Sequence, residues 1–252
     1  MRLFVAPGAL AAGELRVTGD EHHYLARVRR ARVGDAIELV DGAGGRAPAT
    51  VAAIDAEAAV LRVGPPERIA PRPPRARALV PPIKGDRMDA CLEKLVEVGV
   101  DEIVIWPAAR AVVRWDGPRR AARRTRFEAA LQAAARQCGR AQVPALDFAD
   151  DLGAAIARTE GGADRAPAPA GAPAARLRVA LDPASDGELL RLPLEGTAEV
   201  TVASGPEGGL APAELEQLAR AGFVSVGLGP RVLRAETAPV VAVALIRAAT
   251  RS

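Results

Sequence analysis

The chain has 252 residues, enough for one large domain or two small ones, and at 49% hydrophobic with 3% aromatic its core has to be built mostly from Ala, Val, Leu and Ile. A formal net charge of +3 permits a nucleic-acid partner without requiring one. Two distant cysteines, Cys91 and Cys138, argue against a disulfide framework or a zinc site, no apolar run reaches membrane-spanning length, and Pro7 and Gly8 break the N-terminus too early for a signal peptide, so a soluble, cytoplasmic protein with no membrane partner is expected.

Residues 1–70 read as a small β-rich module. Residues 15–17 make a short strand, after which Thr18 and Glu21 fit a capping box for a helix over roughly 20–30. That helix carries Arg27, Arg29 and Arg30, with Arg32 just beyond. Such a run is either a solvated face or a patch for phosphate oxygens, which guanidinium groups pair bidentately. A meander follows, with strands at 36–40, 49–54 and 59–63 and a hairpin turn at 41–45. The string Gly42-Ala43-Gly44-Gly45 is not a nucleotide-binding loop, because Pro48 and a β-like run follow it where a helix N-terminus is needed. His22 and His23 have no third histidine to complete a metal cluster.

The proline-rich stretch 65–75 predicts a stiff, extended linker and a domain boundary. Beyond it lies a β-like run at 76–80, then Lys84 at a strand end and a helix over 86–98 with Met88, Leu92, Leu95 and Val96 on one face. Gly99 ends that helix and 103–105 makes the next strand, an alternation that argues for a mostly parallel sheet. A loop from Trp106 to Trp115 contains Arg114 and leads to a basic helix over 118–137. Phe127, Leu131 and Ala134 give this helix a core stripe, which leaves six arginines for solvent or RNA. Residues 159–176 are Pro/Ala/Gly-rich and predict a mobile loop or insertion, 177–181 is a strand ending at Asp182, and 189–194 is an apolar stretch with no clear assignment.

Two glycine-bearing turns follow, each leaving a strand and entering a helix. The first, Ser204-Gly205-Pro206-Glu207-Gly208-Gly209, comes after 199–202. The second runs from Gly227 through Leu228, Gly229, Pro230, Arg231, Val232, Leu233, Arg234, Ala235, Glu236 and Thr237 to Ala238, after 223–226 and ahead of a last helix at about 236–249. Glycine lets backbone approach a ligand closely, and turns at the carboxyl ends of strands are where open α/β sheets bind ligands. Between them, Pro212 and Glu214 mark a helix start at its first and third positions, although Ala211 lacks the side-chain oxygen of a good cap.

GPEGG at 205–209 followed by LGPRVLRAETA at 228–238 resembles the signature of the RsmE family, SPOUT-class methyltransferases that methylate N3 of a uridine in 16S ribosomal RNA. Lys84-Gly85-Asp86-Arg87-Met88, the segment Glu93 to Val100, and Gln137-Cys138-Gly139-Arg140 with Val143-Pro144 resemble further family segments in the same order. His23 to Arg30 sits where the family has a His-start Val-Leu-Arg pattern, with Arg29 in place of the usual Leu, and Arg136 stands where the family commonly has Glu. The resemblance implies an α/β protein with a PUA-like β-barrel RNA-binding domain at 1–70. It also implies a SPOUT domain at 76–252 whose C-terminal trefoil knot spans about 200–245.

It implies S-adenosylmethionine as cofactor, no metal, a homodimer, and 16S rRNA within the small ribosomal subunit as partner. The cofactor-binding residues it points to are Gly205, Pro206, Glu207, Gly208, Gly209, Leu228, Gly229, Val232, Leu233, Thr237 and Ala238. Candidate RNA contacts are Arg27, Arg29, Arg30, Lys84, Arg114 and Arg140.

The chemistry narrows the catalytic candidates. N3 of uracil is protonated at neutral pH and is a poor nucleophile, so the site has to remove that proton or stabilise the anion left on O2/O4. Arg234 would orient the base or face the developing negative charge, and Glu236 would be a base or would fix Arg234. Glu236 at a helix N-terminus is also favourably placed with no chemistry at all, and Thr237 could cap that helix. Two other readings stay open: a SPOUT enzyme acting on another rRNA or tRNA base, and a non-catalytic RNA-binding ribosome-assembly protein.

Overall fold

The structure is a computed structural model that describes residues 1–6, 9–70, 72–115, 117–160 and 175–250. Most of the Pro/Ala/Gly-rich stretch, 161–174, lies outside the described residues. The chain forms two compact units: residues 1–71 with Ala135–Val143, and residues 72–134 with 144–252.

The first unit is a sheet with one short helical segment. Its strands are β1 (Arg2–Phe4), β2 (Gly13–Val17), β3 (Ala36–Val40), β4 (Gly45–Ile54), β5 (Ala59–Val63) and β6 (Glu67–Arg68). They run in the order β1-β3-β4-β5-β2 with β6 on β4. β1 is parallel to β3 and the other pairs are antiparallel. Along β4 the period of two shows directly, with Gly45, Ala47, Ala49 and Val51 buried. Leu3, Leu25, Leu39 and Leu61 are fully buried at the centre. The hairpin turn forms where the sequence places it, and Asp41 Oδ1 accepts from the amides of Ala43 and Gly45, both at 2.8 Å. Because β6 pairs with β4, the proline-rich stretch is not extended linker throughout.

The expected helix over roughly 20–30 forms over 19–28, in two parts. α1 is Gly19–His23, and Tyr24–Val28 continues it as a wider π-type turn. The capping box does not form: Thr18 holds the N-cap position without a side-chain bond. Glu21, which would have reached back, instead pairs with the guanidinium of Arg136. Arg136 also lies 5.5 Å from the Phe4 ring and 5.1 Å from the Tyr24 ring. The arginine that departs from the family pattern thus has its own set of partners. Of the two histidines His22 is the buried one, its Nε2 3.1 Å from the carbonyl of Asp55.

The second unit alternates strands and helices. In chain order it holds β7 (Arg75–Val80), α2 (Arg87–Val98), β8 (Glu102–Ile105), α3 (Gly117–Cys138), β9 (Ala145–Phe148), α4 (Leu152–Glu160) and β10 (Ala175–Leu181). There follow a 3-10 turn (Leu189–Arg191), β11 (Thr197–Ala203), α5 (Pro212–Arg220), β12 (Val224–Val226) and α6 (Ala238–Ala249). The last residues of α3, from Ala135, group with the first unit. The six strands form one parallel sheet in the order β12-β10-β11-β7-β8-β9. Strands covered on both faces are mostly apolar, and residues 76–80 of β7 are all buried, Arg77 among them by pairing with Glu102 at 2.9 Å. Leu79, Val104, Trp106, Ala180, Ala203, Leu218 and Phe223 form the core on one side of the sheet. Gly99 closes α2 in the left-handed region, with φ of 98°.

Two elements escaped the sequence reading. β9 is four residues long with Asp147 inside it, too short and too polar to register, and α4 follows directly. The arginines of α3 are more occupied than a solvated or RNA-facing surface would suggest. Arg120 bonds Asp150 at 2.5 Å, Arg124 bonds Asp147 at 3.0 Å and the Leu146 carbonyl at 2.9 Å, and Arg126 bonds Asp89 at 2.7 Å. Arg123 stacks over Trp115 at 5.6 Å.

Candidate active site

The carboxyl ends of three neighbouring strands, β10, β11 and β12, open onto one cavity of about 350 Å³. Leu181, Asp182 and Pro183 enter it from β10, Ser204 and the first glycine turn from β11, and Val226 and the second turn from β12. Both turns are shaped by backbone. A Cβ on Gly205 would sit 2.6 Å from the amide nitrogen of Leu210, so only glycine lets the chain double back there. The Gly209 amide then bonds the Pro206 carbonyl at 2.8 Å, with Gly209 at φ of 72°. In the second turn the Gly227 amide bonds the Gly187 carbonyl at 2.7 Å, and the amides of Thr237 and Ala238 both bond the Arg234 carbonyl.

Most of the residues singled out in sequence meet in this cavity. Gly205, Pro206, Glu207, Gly209, Leu228, Gly229, Val232, Leu233, Arg234, Glu236 and Ala238 line it. Gly208 and Thr237 are not among the lining residues. Gly208 packs against the stem of Arg110. Thr237 holds the N-cap position of α6 but makes no side-chain cap bond, so the expected cap is not formed. Of the candidate RNA contacts, Arg27, Arg29 and Arg30 are exposed and Arg140 half-buried in the first unit, while Lys84 and Arg114 are exposed in the second. Among the described residues none of these six lines the cavity.

Two ion pairs face the cavity. Arg234 and Glu236 lie 3.9 Å apart, with the arginine side chain 78% exposed and the glutamate 16%. Oε2 of Glu236 is buried and has no hydrogen-bond partner among the described residues. Such an orphaned acceptor costs stability unless something donates to it. Its charge is felt nearby: burial, and then Glu236, push the Cys91 thiol up to about 12. Arg87 at the start of α2 lies 3.8 Å from Glu207.

Arg87, Asp182, Pro183 and Ser204 line the cavity without having been singled out as site residues. The signal for Asp182 and Pro183 was available, since they too follow a strand that ends at the sheet edge where the glycine turns lie. Together the apolar walls, the backbone-lined turns and the paired charges suit a small molecule with apolar and charged parts, within the ~300–1,000 Å³ usual for such sites.

Residues 71–247 match the RNA methyltransferase domain family, and residues 17–64 match the RNA methyltransferase PUA domain family. Ribosomal RNA small subunit methyltransferase E of Mycobacterium bovis is 34% identical over 231 residues, covering 91% of this chain and 84% of that protein. The Bacillus subtilis protein of the same name is 28% identical over 239 residues, covering 91% and 88%. A solved ribosomal RNA small subunit methyltransferase E from Neisseria gonorrhoeae, bound to S-adenosyl methionine, superposes with a TM-score of 0.81 at 26% identity, covering 99% of this chain and 97% of that one. The chain belongs to the ribosomal RNA small subunit methyltransferase E family.

Proposed function

We propose that the protein methylates N3 of a uridine in the 16S rRNA of the small ribosomal subunit, with S-adenosylmethionine as methyl donor. The observation that carries this reading is that both glycine turns, Arg234 and Glu236 line one cavity at the carboxyl ends of adjacent parallel strands. The residues present fit the cofactor. The Oε2 of Glu236, partnerless among the described residues, is an acceptor in want of a donor, and Gly205 lets the turn that lines the cavity double back on itself. Gly205, Pro206, Glu207, Gly209, Leu228, Gly229, Val232, Leu233 and Ala238 would hold it, with Gly208 and Thr237 acting through the shape of the turns. When bound, S-adenosylmethionine supplies an electrophilic methyl group on its own leaving group, so the reaction needs no metal.

The chain's own residues deal with the acidic N3–H. Arg234, exposed at the mouth, faces the negative charge that develops on O2/O4 as the proton leaves. Glu236 either accepts that proton, freeing the N3 lone pair to form the new C–N bond, or holds Arg234 in place. A pH–rate profile of Glu236→Gln separates the two roles. Loss of the acidic limb marks a base, while a uniform fall at every pH marks a group that only fixes Arg234.

The RNA is held by Arg27, Arg29, Arg30 and Arg140 of the PUA-like unit and by Lys84 and Arg114 of the other. The resemblance of residues 205–209 and 228–238 to the family signature supports a knot over about 200–245. The same resemblance, carried by residues 205–209 and 228–238, is the ground for a homodimer. Among the described residues no helix is long and apolar enough to cross a membrane.

The test uses labelled S-adenosylmethionine with small subunits, and separately with free rRNA, that lack the modification. Labelled 3-methyluridine after digestion is the expected product. No label despite cofactor binding would move the target to another base, and neither label nor binding would leave a non-catalytic RNA-binding protein.

A further inference from the structure

The first glycine turn is held from behind. Arg110, in the loop after β8, sends Nη1 to the carbonyl of Gly208 at 3.0 Å and to that of Leu210 at 3.2 Å. Its stem fills the space where Gly208 has no side chain: a Cβ on Gly208 would lie 3.2 Å from Arg110 Cβ and 3.5 Å from its Cδ. The neighbouring residue is tied as well. Glu214 of α5 accepts from the Ala109 amide through one carboxylate oxygen and from the Ala211 amide through the other, both at 2.7 Å. One carboxylate and one guanidinium therefore stitch residues 109–110 to residues 208–211, the C-terminal half of the turn.

The anchor on the other side is firm. Trp106 and Ala108 are buried in the core, and the Ala111 amide bonds the Ala108 carbonyl at 3.1 Å. Residues 205–207 and 209 face the cavity, while Gly208 turns its back to it. The glycine turn is thus a thin wall with ligand space on one face and Arg110 on the other. A wall built of Gly-Pro-Glu-Gly-Gly has little side-chain packing of its own to fix it, so its position depends on what grips its carbonyls.

We propose that Arg110, together with Glu214, is a positioning device for the cofactor: it sets the cavity wall without touching the ligand. This rests on the assignment of the cavity to S-adenosylmethionine. The consequence is a split in the kinetics. Loosening the wall weakens cofactor binding, while the reacting groups Arg234 and Glu236, on the other turn, stay in place.

The experiment compares the wild type with Arg110→Met, which keeps the stem and loses the donors, and Arg110→Lys, which keeps a cationic donor group without the planar guanidinium. Amide hydrogen exchange at Gly209, Leu210 and Ala211 is read first, without any ligand, and then Kd and KM for S-adenosylmethionine, KM for RNA and kcat. Expected in Arg110→Met are faster exchange at those amides and a cofactor Kd weaker by about tenfold, equivalent to ~1.4 kcal/mol. The RNA KM and the kcat at saturating cofactor stay close to wild type, and Arg110→Lys falls between. Unchanged exchange would overturn the positioning role, as would faster exchange with unchanged cofactor affinity or an equal fall in kcat. Faster exchange in a protein whose wild type binds no S-adenosylmethionine would leave the grip on the turn standing and sink the assignment of the cavity. If Arg110→Met fails to fold, Arg110→Lys carries the same comparison.

Discussion

Adding one methyl group at Gly205 tests the architecture of the cavity most directly. The Cβ of Gly205→Ala would meet the Leu210 amide nitrogen at 2.6 Å, the Gly209 carbonyl carbon at 2.8 Å and the Gly209 Cα at 3.1 Å, where ordinary contact begins near 3.4 Å. All three atoms are backbone, so no side chain can swing aside and the turn itself has to open by several tenths of an ångström. Overpacking of this kind costs about 1–3 kcal/mol. If the turn opens into the cavity and the rest of the unit holds, that cost appears as a loss of cofactor affinity of about five- to 150-fold.

Two neighbours serve as controls, because each is glycine for a different reason. Gly208→Ala meets Arg110, its Cβ at 3.2 Å and its carbonyl oxygen at 3.7 Å, and with no contact under 3.0 Å is expected to lose less. Gly209→Ala has open space around it but sits at φ of 72°, so it costs about 1–2 kcal/mol of stability through backbone strain. Titration calorimetry with S-adenosylmethionine and thermal melts on the three variants give the ordering. A Gly205→Ala protein with wild-type affinity and an unshifted Tm would refute the reasoning.

Other outcomes can be checked on the purified protein. The guanidinium of Arg247 bonds the carbonyl of Gly99 at 2.6 and 3.0 Å and that of Pro74 at 2.7 Å, and it pairs with Asp101 at 2.5 Å. Arg247→Ala removes these bonds and should cost about 2–3 kcal/mol, a fall in Tm of roughly 4–10 °C by differential scanning fluorimetry. With its thiol pushed up to about 12, buried Cys91 should resist alkylation in the native protein, while exposed Cys138 reacts. Mass spectrometry after iodoacetamide at mildly alkaline pH should therefore find one label natively and a second only on unfolding. Burial pushes the Asp147 carboxyl up, but bonds from Arg158, the Phe148 amide and Arg124 outweigh it and hold the group below the usual carboxylate range. Its contribution is then fully present above the unfolded value near ~3.9 and is lost as pH falls through the lower folded value. The Tm gap between wild type and Asp147→Asn should be level from neutral pH to about 5 and close in more acid buffer.

What was legible in the sequence follows from where local pattern decides structure. α2 reads cleanly because its apolar spacing and Gly99 both point to the same ends, and the meander reads because period two survives in β4. β9 does not read, because four residues with an aspartate among them carry no period. The capping box at Thr18 fails for a non-local reason: Arg136, more than a hundred residues away, takes the carboxylate that the local motif needed. The same holds at the cavity. The two glycine turns were visible as turns after strands, but the roles of Arg110 and Glu214 depend on which loops the parallel sheet brings side by side, and nothing near them in sequence announces it.

The strand order also sets a timetable. β11, at Thr197–Ala203, lies between β10 (Ala175–Leu181) and β7 (Arg75–Val80), both of which leave the ribosome before it. A growing chain cannot complete this sheet by adding strands at an edge: the place at its centre has to stay open until a late arrival fills it. Contacts that span so much sequence are slow to form. The turns that line the cavity, and the α6 helix that packs on α2, come later still, so no small ligand can brace the unit during most of its synthesis. A chain interrupted before residue 197 would therefore lack the middle of its sheet rather than its margin, and would expose the flanks of two apolar strands until it was cleared.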